Sequence, residues 1–251
     1  GYLRMSKDTM DIKTLTITKA LEGLKNKEFS SLELTQEYLQ RIKKVDHKLN
    51  AFITVTEEEA LKNAKAADEK RTKGEDLPLL GIPISLKDNY VTEGIRTTAA
   101  SKVLENYIPT YDATVVKKLK ESGVVILGKT NMDAWGHGVS GENSDFGSTK
   151  NPWDTEHIPG GSSSGSAVAI AADIGLAAGG TDTGGSIRFP ANFCNVVGLK
   201  PTYGRVSRYV IVSMASSLDT VGHFTKTVAD NALMLTVTAG KDEHDATTTP
   251  V

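Results

Sequence analysis

The sequence predicts an α/β protein built on a largely parallel or mixed β-sheet. Short apolar runs at 81–89, 124–130 and 176–183 have the length and composition of buried strands. Segments with helical periodicity lie between them, at 112–123 and 164–175, so strands and helices alternate along the chain. The chain has 251 residues, which is enough to bury a sizeable core.

The first 75 residues are predicted to be mainly helical. Ser30 and Glu33 form a capping-box pattern, and apolar residues follow at spacings of three and four. The segment AFITV (51–55) is either a short strand or a segment that packs between helices. Residues 57–71 predict a charged, alanine-rich helix with one narrow apolar stripe, and we interpret its charges as a solvated face.

The middle of the chain carries the strand signals. Residues 81–89 predict a buried strand that runs into a loop. Residues 112–123 predict a helix that ends at Gly123, and 124–130 a strand. Residues 141–165 have little periodicity and much Gly, Ser, Asn and Pro, so they predict a long loop.

The last third continues the alternation. Residues 164–175 predict a helix buried on all sides, and 176–183 predict a tight strand. Ser186 is expected to begin a helical turn that Pro190 ends. Residues 225–240 predict a final amphipathic helix.

Charge and cysteine content exclude several classes of function. The 29 basic and 31 acidic residues nearly balance, so we expect no direct binding to nucleic acid or membrane. The single cysteine, Cys194, excludes an internal disulfide and suits a reducing compartment. Its apolar surroundings favour a packed small residue over a nucleophile. No targeting signal or membrane-spanning run is found, so we expect a cytoplasmic protein.

Metal and cofactor signals are weak. The five histidines are scattered and no cysteine cluster accompanies them. Neither Gly-rich stretch is followed by the Lys-Ser/Thr pair of a phosphate-binding loop, and the dinucleotide-binding glycine spacing is missing. We therefore predict no metal and no cofactor.

The stretch GGSSSGS (160–166) contains the pattern G-x-S-x-G, which would make Ser163 the nucleophile of an α/β-hydrolase. That motif needs a strand immediately before it. The preceding NPWDTEHIPG has two prolines and no apolar alternation. The acid and histidine pairs available downstream are also more tightly spaced than that fold provides, so we disfavour this interpretation.

The second Gly-rich stretch, GGTDTGGSIR, follows a strand signal. Backbone N–H groups from Thr183 to Ser186 could form a concave nest for an anionic oxygen, with Ser186 as a nucleophile. The alternative is a Gly-rich turn in which Ser186 caps a helix. Lys87, at the end of the apolar strand GIPISL, could act as a desolvated base or could be a solvated surface lysine.

Three motifs, GIPISLKDN, GGSSSGSA and GTDTGGSIRFPA, occur in the order and at the spacing of the amidase signature family, which this chain resembles. Further stretches, GKTNMDAW and GLKPTYGRVSR among them, resemble the glutaminase subunits of tRNA-dependent amidotransferases. The resemblance implies an amidase-signature α/β/α sandwich with a mixed sheet. Because the sequence stops at DATTTPV, the C-terminal part of that fold is expected to be missing. We expect one catalytic domain, 1–251, with a helical segment (1–75) before the core (76–251).

The resemblance also implies a catalytic triad. Ser186 would be the nucleophile, Lys87 in its neutral form the base, and Ser162 a hydroxyl that relays the proton between them. The family holds the peptide bond before this middle serine, here Gly161–Ser162, in the cis configuration.

The remaining site residues are implied in the same way. The oxyanion hole would be formed by the N–H groups of Thr183, Gly184, Gly185 and Ser186. Ser163 and Arg188 would hold the loops in place, and Gly138 and Ser140 would border the substrate.

Two residues depart from the family pattern: Val210 stands where the pattern has glycine, and His223 where it has proline. We expect both to lie on loops and to perturb the local backbone rather than the chemistry.

The function we predict is a serine amidase that hydrolyses small carboxamides through an acyl-enzyme. One alternative is the glutaminase subunit of a tRNA-dependent amidotransferase, which would need partner subunits. The other is an inactive fragment that serves only in assembly. The partners we expect are a small amide substrate and, through surface exposed by the shortened fold, a second copy of the chain.

Overall fold

A computed structural model describes residues 10–250 of the chain. Seven α-helices and six strands are found in this range. The helices are α1 (Ile17–Asn26), α2 (Ser31–Leu49), α3 (Glu57–Thr72), α4 (Thr114–Glu121), α5 (Ser164–Ala171), α6 (Arg188–Cys194) and α7 (Val228–Thr238). The strands are β1 (Phe52–Val55), β2 (Pro83–Lys87), β3 (Val125–Thr130), β4 (Ala177–Asp182), β5 (Val197–Leu199) and β6 (Thr220–Thr225).

The strands form one sheet in the order β1-β3-β2-β4-β6-β5. The central strand β2 pairs in parallel with both β3 and β4, whereas β1, β6 and β5 join by antiparallel pairing. The predicted α/β fold with a mixed sheet is therefore confirmed. Parallel strands end at the same edge of a sheet, so the carboxyl ends of β2 and β4 lie side by side.

The N-terminal helices follow the sequence signals closely. Ser30 caps α2, and the predicted capping box with Glu33 is present: the Ser30 side chain accepts the Glu33 N–H, and the Glu33 side chain accepts the Ser30 N–H. Helix α3 buries only its alanine stripe, Ala60, Ala64 and Ala67. The segment 51–55, for which the sequence left two alternatives, contains β1, and β1 pairs with β3.

The charges of α3 are not all part of a solvated face, since Arg71 donates to the Leu80 carbonyl at 2.6 Å and Asp68 contacts α2. Asp68 accepts hydrogen bonds from the Ser31 and Leu32 N–H groups at 2.7 and 3.0 Å. These donors belong to the first turn of α2, where no intrahelical partner exists. The interpretation of the α3 charges as solvated is thus wrong for Asp68, because its carboxylate fastens α3 to α2.

The centre of the fold is closely packed. All five residues of β2 and all six of β4 are buried. Helix α5 buries Ser164 to Ile170 without a break, as predicted, but it ends at Ala171 and not at 175. A Cβ at Gly165 would overlap the backbone oxygen of Ala51, so only glycine lets α5 approach the sheet this closely.

The last third differs from the prediction at several points. Pro190 does not end a helical turn but lies in the first turn of α6. Backbone N–H groups in the first turn have no acceptor within the helix, so a proline there costs no helical hydrogen bond. His223, expected on a loop, lies fully buried on β6 between Gly179 of β4 and Leu199 of β5. No local pattern in the sequence had indicated β5 or β6.

Helix α7 is present where predicted, but its buried positions are mostly polar. Asp230, Asn231, Met234 and Thr238 are buried. Asp230 accepts the Ile17 N–H at 3.0 Å and the Thr18 N–H at 3.1 Å, and so caps α1 from a site 213 residues away along the chain. Asn231 donates to the His223 carbonyl at 3.0 Å. Tertiary hydrogen bonds hold this helix together with apolar packing, in which Met234 is buried in the core and Leu233, Leu235 and Val237 pack against it.

Cys194 is fully buried, and burial raises the pKa of its thiol to about 12. A thiol in this state is a poor nucleophile at neutral pH, which agrees with a packed small residue. Within residues 10–250, none of the helices is long and apolar enough to cross a lipid bilayer.

Candidate active site

Lys87 is the last residue of β2 and is fully buried. Its Nζ donates to Ser162 Oγ at 2.8 Å and to Thr181 Oγ1 at 2.7 Å. Burial lowers the pKa of the Lys87 ammonium to about 7, although the carboxylates of Asp133, Asp182 and Asp219 act in the opposite direction. Burial thus favours the neutral amine of Lys87, which can accept a proton.

Ser162 lies at the end of the long loop that precedes α5. It is buried, and the Gly161–Ser162 peptide bond is cis. The Ser162 carbonyl accepts the Asp133 N–H at 3.0 Å, and the Gly161 N–H donates to the Val139 carbonyl at 2.8 Å. These bonds hold the segment so that the Ser162 hydroxyl faces Lys87.

Ser163 occupies the N-cap position of α5 and is completely buried. Its Oγ donates to the Thr181 carbonyl at 3.0 Å, and its N–H donates to the Ser186 carbonyl at 3.2 Å. A serine with its hydroxyl turned into the sheet cannot serve as an exposed nucleophile. Ser163 instead joins the loop before α5 to the loop after β4.

Ser186 lies on the loop between β4 and α6 and is 7% exposed. It borders a cavity of about 330 Å³, together with Gly184 and Gly185 from the same loop. Its hydroxyl makes no hydrogen bond to the side chains of Lys87 or Ser162 among the described residues. The structure thus brings Lys87 and Ser162 into contact and places Ser186 nearby, at the wall of the cavity.

The four N–H groups expected to form an oxyanion hole are not equivalent. Gly185 N–H donates to Asp182 Oδ1 at 2.9 Å, so it is not free for a substrate oxygen. One of the four predicted donors therefore already has an acceptor within the protein. Across residues 10–250, the N–H groups of Thr183, Gly184 and Ser186 have no protein acceptor, which leaves them available.

Asp182, the last residue of β4, organises this loop. Its carboxylate accepts bonds from Arg188 Nη2 and Nε at 3.0 and 3.1 Å and from the Ile187 N–H at 3.0 Å. Burial would raise the pKa of this carboxyl, but the Arg188 side chain and the backbone N–H groups hold it below its ordinary value. Arg188, predicted to hold the loop, therefore acts through Asp182.

The cavity is lined mostly by apolar groups. Val139, Phe189 and Met214 contribute side chains, and Gly136, Gly138 and Gly161 contribute backbone. Gly138 borders the cavity beside Ser186. Ser140 does not line the cavity, and its Oγ accepts the Glu142 N–H at 3.3 Å. The place of Ser140 beside the substrate stays a prediction.

Three residues that contact the site were missed from the sequence. Thr181 bonds to Lys87, Asp133 lies against Gly161, and Asp219 accepts from the Thr183 hydroxyl at 2.6 Å. A local signal existed only for Thr181, which is a polar residue within an apolar strand. The roles of Asp133 and Asp219 depend on contacts between distant loops, which no local pattern encodes.

The geometry provides a desolvated amine, a hydroxyl bonded to it, a serine at a cavity wall and free N–H donors beside that serine. Such groups suit acyl transfer. No cluster of three or more His, Cys, Asp or Glu side chains able to hold a metal ion is found in residues 10–250.

Comparison with known proteins places the chain in a family. The model of the family "Amidase" matches residues 33–251. The A subunit of glutamyl-tRNA(Gln) amidotransferase from Thermoanaerobacter pseudethanolicus is 58% identical over 238 residues, which is 95% of this chain and 49% of that protein. Its counterpart from Geobacter metallireducens is 58% identical over 242 residues, or 96% of this chain and 50% of that protein.

Solved structures agree. Peptide amidase from Stenotrophomonas maltophilia superposes with a TM-score of 0.90 at 42% identity, over 94% of this chain and 50% of that one. The A subunit of glutamyl-tRNA(Gln) amidotransferase from Thermotoga maritima gives a TM-score of 0.84 at 45% identity, over 96% of this chain and 50% of that one. The chain spans about half the length of the proteins it matches.

Proposed function

Since this chain belongs to the amidase family, we propose that it carries a serine amidase site that hydrolyses carboxamide C–N bonds through an acyl-enzyme. One observation supports this proposal above the others: the nitrogen of the buried Lys87 amine, whose pKa is about 7, lies at hydrogen-bond distance, 2.8 Å, from Ser162 Oγ beside the Ser186 loop. A general base is most effective when its pKa lies near the working pH.

In the proposed reaction Ser186 Oγ attacks the amide carbonyl carbon. Its proton passes to Ser162, while the proton of Ser162 passes to neutral Lys87. The N–H groups of Thr183, Gly184 and Ser186 stabilise the tetrahedral oxyanion. Removing one such donor usually costs about 3 kcal/mol of transition-state stabilisation. Lys87 then returns its proton through Ser162 to the leaving nitrogen, and the C–N bond breaks. Water attacks the resulting ester on Ser186 and releases the carboxylic acid.

The substrate of this site is a small carboxamide that fits a cavity of about 330 Å³ with apolar walls. A second candidate is the glutaminase activity of a tRNA-dependent amidotransferase. The observation that favours it is the 58% identity, over 95% of this chain, to the A subunit of a glutamyl-tRNA(Gln) amidotransferase. Under this candidate, partner subunits would receive the ammonia.

The test combines labelling and turnover. The purified chain is treated with a fluorophosphonate, and the labelled peptide is identified by mass spectrometry. Turnover is measured with glutamine, aliphatic amides, aryl amides and an aryl ester. We expect labelling at Ser186, loss of labelling in Ser186→Ala, and only slow activity at high pH in Lys87→Ala. Ser217→Ala, which changes an exposed serine outside the cavity, is the matched control.

The pH profile has a defined sign. Because the neutral form of Lys87 is the base and its pKa is about 7, kcat/KM should rise as the pH increases through about 7 and then level off.

Turnover of varied amides favours the first candidate, and turnover of glutamine alone favours the second. No labelling and no turnover would mean that the chain has only an assembly role.

A further inference from the structure

Asp133 is a buried carboxylate that the proposed reaction does not use. It follows β3 and is completely buried. No basic side chain in residues 10–250 lies within 4.0 Å of it. A buried charge without a counterion is costly unless hydrogen bonds compensate for it.

Backbone N–H groups from one loop provide that compensation. Asp133 Oδ1 accepts the Asn143 N–H at 2.9 Å and the Gly141 N–H at 3.1 Å, and Oδ2 also lies 3.1 Å from the Gly141 nitrogen. We call residues 138–143 the clamp loop. The side chain of Asp133 therefore holds the clamp loop in place.

The backbone of Asp133 contacts a second segment. Its N–H donates to the Ser162 carbonyl at 3.0 Å, and a clamp-loop carbonyl, that of Val139, accepts the Gly161 N–H at 2.8 Å. A Cβ at Gly161 would overlap Asp133 Oδ2, and a Cβ at Gly138 would overlap Asp133 Cγ. Glycine at both positions lets the two segments close on the carboxylate.

Both segments form the candidate site. Gly138 and Val139 of the clamp loop line the cavity beside Ser186, and so does Gly161. The next residue, Ser162, hydrogen-bonds to Lys87. A displacement of the clamp loop would therefore move a cavity wall and the Ser162 hydroxyl together.

We propose that Asp133 is a positioning residue, whose carboxylate fixes the clamp loop against Gly161–Ser162 and thereby orients the Ser162 hydroxyl towards Lys87. This inference rests on the proposed amidase function. Misplacing a reacting group by about 1 Å can cost roughly a hundredfold in rate, so a small shift of Ser162 has a measurable effect.

The charge of Asp133 has a second effect that distinguishes positioning from simple folding. The carboxylates facing Lys87 are Asp133, Asp182 and Asp219, and each raises its pKa. Replacing Asp133 by asparagine removes one negative charge and keeps one oxygen acceptor. The acidic limb of the kcat/KM profile should then move to lower pH.

The experiment compares Asp133→Asn with Asp230→Asn in the full chain. Asp230 is an equally buried carboxylate that also accepts backbone N–H groups, but it lies on α7 and caps α1. Rates of fluorophosphonate labelling, pH profiles of kcat/KM and thermal unfolding are measured for both variants. We expect labelling about tenfold slower and a shifted acidic limb in Asp133→Asn, and neither change in Asp230→Asn.

Amide hydrogen exchange gives a readout that does not depend on activity. Exchange should accelerate in peptides covering both 138–143 and 159–163 in Asp133→Asn, and in neither peptide in Asp230→Asn. If the unaltered chain neither labels nor turns over while this exchange pattern appears, the proposed function fails and the coupling of the two segments stands.

Other results would overturn the inference. Unchanged labelling and an unmoved acidic limb in folded Asp133→Asn would show that Ser162 does not depend on Asp133. Asp133→Ser, which keeps a short oxygen acceptor, is the second variant. If neither Asp133 variant folds while Asp230→Asn does, Asp133 serves the fold as a whole and the proposal is wrong.

Discussion

At the scale of single residues, Val210 has an unfavourable backbone conformation. Its φ angle is +61°, in the left-handed region that β-branched residues rarely adopt. The Ile211 N–H donates to the Arg208 carbonyl at 2.9 Å and closes a turn around it. The expectation that Val210 lies on a loop and perturbs the local backbone agrees with this geometry.

Replacing Val210 by glycine and by alanine isolates this conformational cost. Both changes remove the two partly buried methyl groups of valine, but only glycine, which also lacks Cβ, relieves the restriction on φ. We expect Val210→Gly to be more stable than Val210→Ala by about 1 kcal/mol. Urea unfolding measures the difference, and an alanine variant of equal or higher stability would contradict it.

His223 makes stability depend on pH. One ring nitrogen, Nε2, is 2.8 Å from Thr238 Oγ1, while Nδ1 has no hydrogen-bond partner and is buried. Burial lowers the pKa of His223 from 6.5 to about 4. Between these values the unfolded chain binds a proton that the folded chain does not, so stability falls as the pH decreases from 6.5 to about 4.

We expect protonation of His223 to lower the free energy of unfolding by about 3 kcal/mol between pH 7 and pH 4. His223→Gln, which cannot titrate at this position, provides the comparison, because all other titrating groups contribute the same pH dependence of unfolding in both proteins. Urea unfolding at several pH values gives the difference. Parallel loss in the two proteins would exclude His223 as the cause.

At the scale of elements, the start of α2 depends on two separate caps. Ser30 Oγ accepts the Glu33 N–H, whereas Asp68 of α3 accepts the Ser31 and Leu32 N–H groups. A neutral cap contributes about 1 kcal/mol, and a hydrogen bond to a charged group contributes about 1.5–3 kcal/mol.

We therefore expect Asp68→Ala to lower the unfolding free energy by about 2 kcal/mol and Ser30→Ala by about 1 kcal/mol. Asp76→Ala, an exposed aspartate after α3, is the control and should change little. Thermal unfolding ranks the three variants. If Asp68→Ala behaves like Asp76→Ala, the bond between α3 and α2 contributes nothing.

Elements with strong local signals could be predicted, and those defined by distant contacts could not. The capping box before α2 and the apolar run of α5 were sufficient to predict those two helices. Strand β6 has the sequence TVGHFT, in which polar and apolar residues are all buried because other elements cover both faces. Its place in the sheet comes from pairing with β4, which no local pattern indicates.

The candidate site divides in the same way. Motifs pointed to Lys87, Ser162 and Ser186. The hydroxyl of Thr181 and the carboxylate of Asp133 reach them only because of strand register and loop closure. Gly185 shows the limit of carrying over a set of N–H groups, since its orientation towards Asp182 is decided by the fold of the loop.

At the scale of the whole molecule, the helical N-terminal part is fastened to the rest of the chain. Strand β1 extends the sheet through β3, and Asp230 of α7 caps α1 across 213 residues. This supports the proposal that the chain forms one domain, although the segment 73–76 between α3 and β2 is exposed.

We expect one cooperative transition on heating, with coincident far-ultraviolet and near-ultraviolet circular dichroism curves. Limited proteolysis within 73–76 should leave the two pieces associated until that transition, because the sheet and the α1 cap join them. Separation of an independently folded core after cleavage would contradict a single domain.

Helix α5 has a consequence for genetic experiments. A helix on a protein surface shows tolerance to substitution that recurs every three or four positions, and α2 should show this rhythm. From Ser164 to Ile170 every residue is buried. A saturation mutagenesis scan should therefore find uniform intolerance across these seven positions. From such a profile alone, this segment could not be identified as a helix.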